Sequence, residues 1–155
     1  MAAERDWATG EGLLGIDDPA DWDAAFERGE RRLGTAAIGL AFNCPLEDAS
    51  PRIVRATRLP DIAQRGFAFT AVGTAARLNG ALTPELYEAL RAEGLVGTAE
   101  DAIRDTLTFV PFRELPSWFK RRSVYLAVRD TLEGWWLRAE DAVGDTWQTL
   151  RRRRP

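Results

Sequence analysis

The sequence has 155 residues, of which 45% are hydrophobic and 29% charged, and its formal net charge is −3. This is the composition of a globular chain of about one domain, long enough to bury a core without disulfides or a structural metal. The single cysteine excludes an internal disulfide and a multi-thiolate zinc site. The absence of histidine excludes Ser-His-Asp catalysis, Cys-His catalysis and histidine metal sites. The sequence has no glycine-rich phosphate-binding loop, and we expect no cofactor.

The sequence predicts a cytoplasmic protein without a membrane span. It starts with the charged stretch MAAERDW, which does not resemble a signal peptide. Its longest uncharged run, from Leu33 to Leu46, has fourteen residues, too few for a membrane-spanning helix. Lys120 is the one lysine among 21 basic residues, and this preference for arginine indicates a GC-rich bacterial genome.

Residues 1–18 are predicted to form an irregular, glycine-rich arm, held to the rest of the protein by its apolar side chains. The first helix is predicted to begin at Asp18-Pro19 and to end at Asn43-Cys44-Pro45. Within it, apolar and small residues recur at steps of three and four, the spacing of one buried helical face. The residues of this face are Trp22, Ala25, Phe26, Gly29, Leu33, Ala36, Ala37 and Leu40.

The start of this helix carries the stretch DDPADWD. Asp17, Asp18 and Asp21 form a D-D-x-x-D pattern that resembles the magnesium-diphosphate motif of terpene synthases and prenyltransferases. Those families also need a second acidic motif and a chain roughly twice as long or more, and this chain has neither. Pro19 fits only the first turn of a helix, which makes Asp18 the N-cap and places Asp21 near the positive end of the helix dipole. We therefore interpret the stretch as a helix start and predict no metal site.

The next helices are marked by proline at their starts. Ser50-Pro51 is predicted to open a short helix that runs to about Arg58. After the break at Leu59-Pro60-Asp61, a longer helix is predicted to run to Leu78, where Asn79-Gly80 ends it.

Two further helices follow the same rules of capping. Thr83-Pro84 is predicted to begin one that Gly94 ends. Thr98 and Asp101 have the spacing of a capping box, and they predict a helix that runs to about Phe109.

The segment after Pro116 is predicted to be the longest helix, with helical register over about 35 residues. We therefore predict an all-α fold: a single domain over residues 1–155, with five or six helices, a long C-terminal helix and a basic tail at 151–155. The alternative is an α+β fold, because residues 106–110 and 124–128 are β-branched and aromatic enough to form strands.

Two segments share the sequence Gly-Thr-Ala-Ala, at Gly34–Ala37 and at Gly73–Ala76. Their separation of 39 residues is near the period of helical repeats, but the flanking residues do not match well. We therefore favour the interpretation that small residues allow these two helices to approach closely in the core.

Two other groups of residues are candidate chemical sites. Cys44 has no histidine to activate it, so we interpret it as a half-buried structural thiol. The acidic residues of 83–105 offer carboxylates for acid–base chemistry, but they take first-turn and solvent-face positions. They are Glu85, Glu88, Glu93, Glu100, Asp101 and Asp105.

Charge is distributed in blocks along the chain. Residues 1–50 carry four basic and eleven acidic side chains (net −7), and residues 51–82 carry five and one (net +4). Residues 83–115 carry three and seven (net −4), and residues 116–155 carry nine and five (net +4). Surfaces of opposite potential steer and orient binding partners. We therefore expect the charged blocks to contribute to an interaction surface.

The candidate partner-binding residues are basic or aromatic. Arg52, Arg55 and Arg58 recur at every third residue, so they lie along one side of their helix. Trp118 is followed by Lys120, Arg121 and Arg122, and Trp135 and Trp136 are adjacent in the last helix. Adjacent helical residues point about 100° apart, so one of these two tryptophans faces outward if that helix packs on one side only.

These features favour a non-enzymatic helical module that binds another protein or a second copy of itself. Adaptors, immunity-type inhibitors and small subunits of larger assemblies all fit this description. One alternative is an accessory subunit that contacts nucleic acid through six basic residues, Arg52, Arg55, Arg58, Lys120, Arg121 and Arg122. The acidic pI near 5.1 disfavours a dedicated nucleic-acid binder. Another is a histidine-free bundle that binds a small ligand or catalyses with carboxylates around a cavity. Binding to a membrane surface is disfavoured.

Overall fold

The computed structural model describes residues 5–132. The helices in this range are α1 (Pro19–Glu27), α2 (Leu33–Asn43), α3 (Leu46–Ala56), α4 (Ile62–Asn79), α5 (Pro84–Glu93), α6 (Glu100–Phe109) and α7 (residues 117–132). Short 3-10 turns occupy Leu13–Gly15 and Phe112–Glu114. No strand occurs in residues 5–132, so the all-α prediction is confirmed, and the alternative with strands at 106–110 and 124–128 is wrong. Residues 5–132 contain seven α-helices rather than the predicted five or six.

The chain divides into two compact units, one that ends at Pro116 and one that begins at Ser117. In the first unit, alternate helices stack in two layers. Helices α2, α4 and α6 form one layer, with α4 in the middle, and α1, α3 and α5 form the other. The prediction of a single domain over residues 1–155 stays a prediction.

The contact between α2 and α4 is the most extensive in the first unit, and it depends on a glycine. A Cβ atom at Gly34 would lie 2.0 Å from the backbone oxygen of Gln64, so only glycine fits there. The buried Gln64 side chain uses this proximity, because its Oε1 accepts hydrogen bonds from the backbone N–H groups of Gly34 (2.9 Å) and Thr35 (3.2 Å). Gln64 therefore caps the start of α2 from a different helix.

The second Gly-Thr-Ala-Ala segment lies in α4, the next helix of the same layer, and it also allows a close approach between helices. A Cβ atom at Gly73 would lie 3.3 Å from the backbone of Ala102 and 2.8 Å from the carboxylate of Asp105, both in α6. The first contact joins residues 30 apart (34 to 64), and the second joins residues 29 apart (73 to 102). The predicted close approach of the two Gly-Thr-Ala-Ala helices is thus confirmed at Gly34, whereas Gly73 brings α4 close to α6.

The predicted helix from Asp18 to Asn43 is wrong, because it breaks into α1 and α2 at Gly29. Gly29 has a φ of +71°, in the left-handed region. Its N–H donates to Phe26 O (3.0 Å), and the N–H of Glu30 donates to Ala25 O (3.1 Å). These two bonds form a Schellman motif, which ends α1. The periodicity alone did not show this break, because the apolar spacing continues across it.

The predicted start at Ser50-Pro51 is also wrong, because α3 already begins at Leu46 and Pro51 lies inside it. Pro45 precedes the helix in an extended conformation, and its carbonyl accepts from the N–H of Asp48 (3.1 Å) and Ala49 (3.0 Å). Acidic residues in this first turn suit the helix dipole. Ser50 is buried, and its hydroxyl is hydrogen-bonded to that of Thr83, the N-cap of α5.

The predicted capping box at Thr98 and Asp101 does not form. Helix α6 begins at Glu100, and its N-cap, Ala99, makes no side-chain cap. The hydroxyl of Thr98 instead donates to the carboxylate of Glu93 at 2.6 Å. A charged acceptor forms a stronger hydrogen bond than a neutral one, so Thr98 joins α5 to the following turn.

The other boundaries agree with the predictions. Helix α4 has Asp61 as its N-cap and ends at Gly80, whose φ is +61°. Helix α5 runs from Pro84 to Glu93, and α6 ends at Phe109. The N-terminal arm is irregular, and Leu13 and Ile16 are fully buried. The predicted C-terminal helix is confirmed for residues 117–132, and its continuation and the basic tail lie outside the described residues.

None of the helices within residues 5–132 combines the length and the apolar character that crossing a bilayer requires.

We expect Gly34→Ala to lower the free energy of unfolding by at least about 2 kcal/mol, because its methyl group would overlap the backbone of Gln64. The matched control is Gly66→Ala in α4, where the nearest atom, a methyl carbon of Thr98, is 4.0 Å from the new Cβ. This control is expected to be neutral or to stabilise by up to about 1 kcal/mol. Urea denaturation measures the free energy of unfolding of both variants. Equal changes in the two would contradict the conclusion that only glycine fits at position 34.

Candidate protein-binding site

The carboxylates of DDPADWD are bound to neighbouring protein groups. Asp18 caps α1, as predicted, by accepting from the N–H of Ala20 at 2.8 Å. Asp17 and Asp21 both form ion pairs with Arg5. No group of three or more potential metal ligands occurs within residues 5–132. The stretch therefore starts a helix and ties down the N-terminal arm.

The first predicted basic residues, on α3, turn towards α1. Arg52 binds the carboxylate of Asp23 through Nε (3.2 Å) and Nη2, and this hydrogen bonding raises the pKa of the Arg52 guanidinium. Arg55 lies within 3.4 Å of Asp23 and 3.6 Å of Glu27, and its guanidinium covers the ring of Phe26 at 4.0 Å. The charges of Arg52 and Arg55 are therefore matched by acidic residues of α1.

Arg58, the third residue of the row, is exposed and forms no ion pair within residues 5–132. It lies at the rim of a groove of about 350 Å³ between α3, α4 and α5. Phe69 and Val54 are among the apolar lining residues, and Glu85 and Glu88 stand at the exposed rim. The carboxylates thus lie at a solvent-exposed edge, whereas the small-ligand alternative predicted a closed apolar cavity in which they converge.

Cys44 is half-buried just after α2, as predicted for a structural thiol. Its Sγ donates to the backbone oxygen of Asp17 at 3.3 Å. Burial raises the pKa of the Cys44 thiol, and the nearby charges of Asp17 and Asp48 raise it further. A raised thiol pKa lowers the fraction of the nucleophilic thiolate at neutral pH.

The second group of predicted residues lies at the start of α7. Trp118 is half-buried and meets the ring of Phe119 edge-on, with 4.7 Å between the ring centroids. Lys120 is half-buried, Arg121 is exposed, and the guanidinium of Arg122 lies 5.2 Å from the ring centroid of Tyr125.

The predicted pair Trp135 and Trp136 lies outside the described residues. The arginines of α3 belong to the first unit and the basic residues of α7 to the second.

The largest apolar exposure in α7 is a row of four side chains that we call the apolar stripe. The exposed fractions are 53% for Val124, 57% for Tyr125, 53% for Val128 and 58% for Leu132. At 100° per residue, these four positions fall within an arc of about 100° on the helix surface. An apolar arc of this width is the face that a helix normally buries.

The opposite side of α7 is already buried. Phe119 has an exposed fraction of 1%, and Leu126 is half-buried. At 100° per residue, these two positions lie roughly opposite the centre of the apolar stripe. Helix α7 is therefore apolar on two faces, and one of them is exposed in the described part of the chain.

The apolar stripe was not singled out as a site from the sequence. Tyr125, Val128 and Leu132 match the period of a buried helical face, and the period does not distinguish a covered face from an uncovered one. The signal that was present is Val124 next to Tyr125, since adjacent apolar residues widen the arc beyond one narrow seam.

Comparisons with protein families, with curated proteins and with solved structures found no match to this chain.

We expect the Cys44 thiol to react with a disulfide reagent such as DTNB more slowly at pH 8 than the thiol of the urea-unfolded chain, because its pKa is raised in the folded state. Asp17→Asn removes one of the charges that raise this pKa, and we expect it to speed the reaction about threefold. Glu47→Gln is the control. Equal rates for the folded and unfolded chains would contradict a raised pKa.

We expect Asp23→Ala to free Arg52, to leave Arg55 with its longer contact to Glu27, and to lower the free energy of unfolding by about 1 kcal/mol. The released guanidinium groups should make the protein elute from a heparin column at higher salt than the wild type. Asp48→Ala removes the same charge without removing the side-chain partner of these arginines, so it is the matched control. Elution of both variants at the same salt would show that Asp23 does not mask these cations.

Proposed function

We propose that this protein is a non-enzymatic cytoplasmic module that binds another protein. The observation that carries the proposal is the apolar stripe on α7, where four large side chains are each more than half exposed. Adaptors, immunity-type inhibitors and small subunits of larger assemblies use such surfaces, and the proposal covers this class as a whole.

The exposed apolar area of the stripe is the source of free energy for binding. Burying a side chain of the size of Val, Leu or Tyr stabilises a complex by about 1.5–3 kcal/mol relative to full exposure, and here more than half of each side chain is available. A helix face laid into an apolar groove is a common mode of protein recognition, with anchors spaced at three and four residues. Val124, Val128 and Leu132 have this spacing.

The nucleic-acid alternative is less well supported by the contacts of its predicted residues. Arg52 and Arg55 are bound by Asp23, so a phosphate group would have to compete with a carboxylate already in place. Of the six basic residues predicted to contact nucleic acid, Lys120 and Arg122 are half-buried. This leaves Arg58 and Arg121 as exposed cations that Asp23 does not bind. Two separate exposed charges give little of the electrostatic affinity that nucleic-acid binding requires.

The test is the variant Val128→Asp, which places a charge at the centre of the apolar stripe. A carboxylate buried in an apolar interface is strongly unfavourable, so we expect binding to a stoichiometric partner to weaken at least about 100-fold. Partners are captured from nuclease-treated lysate of the host with the full chain as bait. Light scattering of the purified protein detects self-association.

The matched control is Ala127→Asp, which introduces the same charge at an exposed position of the same helix, beside the stripe. We expect it to retain the partner. Capture that is equal for wild type, Val128→Asp and Ala127→Asp, with a monomer in all three cases, would contradict the proposal.

A further inference from the structure

The apolar stripe has a strongly asymmetric charge environment. Residues 117–132 carry four basic side chains (Lys120, Arg121, Arg122 and Arg129) and one acidic side chain (Asp130), a net charge of +3. At 100° per residue, Arg121 continues the stripe one turn towards its N-terminal end, and Arg122 and Arg129 lie along its Tyr125 side. Asp130 lies roughly opposite the stripe, and its carboxylate pairs with Arg129 Nη2 at 3.3 Å in a solvent-exposed contact, which contributes little free energy. A partner that covers the stripe therefore meets cations at its edge.

These cations define the kind of partner that fits. Like charges at the edge of a helix–helix contact are unfavourable, and opposite charges at these positions select the partner and its orientation. In an antiparallel pair of two α7 helices, the Tyr125 sides would face each other and bring Arg122 of one copy close to Arg129 of the other. The described charges therefore disfavour a second copy as the occupant.

We infer that the partner of the apolar stripe is an acidic amphipathic helix, with aliphatic side chains on the contacting face and Glu or Asp along the edge that meets Arg122 and Arg129. This inference rests on the proposed function and adds the chemistry of the partner to it. The aliphatic residues contact Val124, Val128 and Leu132, and the carboxylates lie within reach of Arg121, Arg122 and Arg129. The ring of Tyr125, covered by Arg122, separates the apolar contact from the charged edge.

The experiment is a selection from a displayed library of amphipathic helical peptides. Leucine is fixed at positions i, i+3, i+4 and i+7, and the flanking positions are randomised among Glu, Gln and Lys. The full chain is the target, and the Val128→Asp variant removes peptides that bind elsewhere. We expect Glu to be enriched about tenfold over Lys at the flanking positions at low salt. The enrichment should fall at high salt, because exposed charge pairs are screened.

With the charge-reversed target Arg122→Glu/Arg129→Glu, we expect the selected peptides to prefer Lys over Glu at the flanking positions. Their binding should still be lost when Val128 is replaced by Asp. Selected peptides with no charge preference would overturn the inference and leave the proposed function in place. If no peptide depends on Val128, the inference fails, and the search for protein partners decides the proposed function separately.

Two further arms separate other occupants of the stripe. Dimerisation that Val128→Asp abolishes would overturn the inference in favour of a second copy. In the second arm, the protein is sedimented with vesicles of phosphatidylcholine and phosphatidylglycerol. If the wild type sediments with them, Val128→Asp does not, and no peptide is selected, the inference is overturned in favour of an anionic lipid surface.

Discussion

The packing of the first unit depends on the hydrogen bonds that the carboxamide of Gln64, in α4, accepts from the first amides of α2. The first amides of α2 receive no cap from Arg32, the residue that precedes the helix, and the start of α2 is buried. Buried amides without an acceptor cost roughly 1–3 kcal/mol each. Gln64 supplies the acceptor, but only because the backbones meet at Gly34. A polar requirement and a packing requirement are thus met by the same pair of residues.

The charge blocks of the sequence have two different uses in the structure. In the first unit, the acidic residues of α1 and the basic residues of α3 bind each other, so much of this segregation holds neighbouring helices together. In α7, basic residues along the apolar stripe outnumber the acidic residue on the far side. A similar local charge therefore stabilises the fold in one place and remains at an exposed apolar face in the other. Composition alone does not distinguish these cases.

Helix type, most boundaries and the N-cap role of Asp18 could be predicted from the sequence, because proline, glycine and apolar spacing act over a few residues. The break at Gly29 was missed because the apolar period continues across it, although the glycine was visible. The early start of α3 was missed because a proline inside a helix is unusual, and here Ser50 is held by Thr83 from another helix. The apolar stripe was missed for a related reason: whether a face is covered depends on tertiary packing.

The two glycine contacts join residues at similar separations in the sequence, 30 and 29, and this bears on how the first unit folds. In the α2–α4–α6 layer, α4 begins 29 residues after α2 (33 to 62) and α6 begins 38 residues after α4 (62 to 100), and the layers alternate along the chain. The loops that must close are therefore all short, and the entropic cost of closing them is small. Chains with such a low contact order reach the native state quickly. Helices α2 and α6 both lie at an end of the layer, but α2 also packs against α1 and α3, whereas the extensive packing of α6 within the described chain is against α4 alone. Unfolding is therefore expected to begin at the α6 end of the stack.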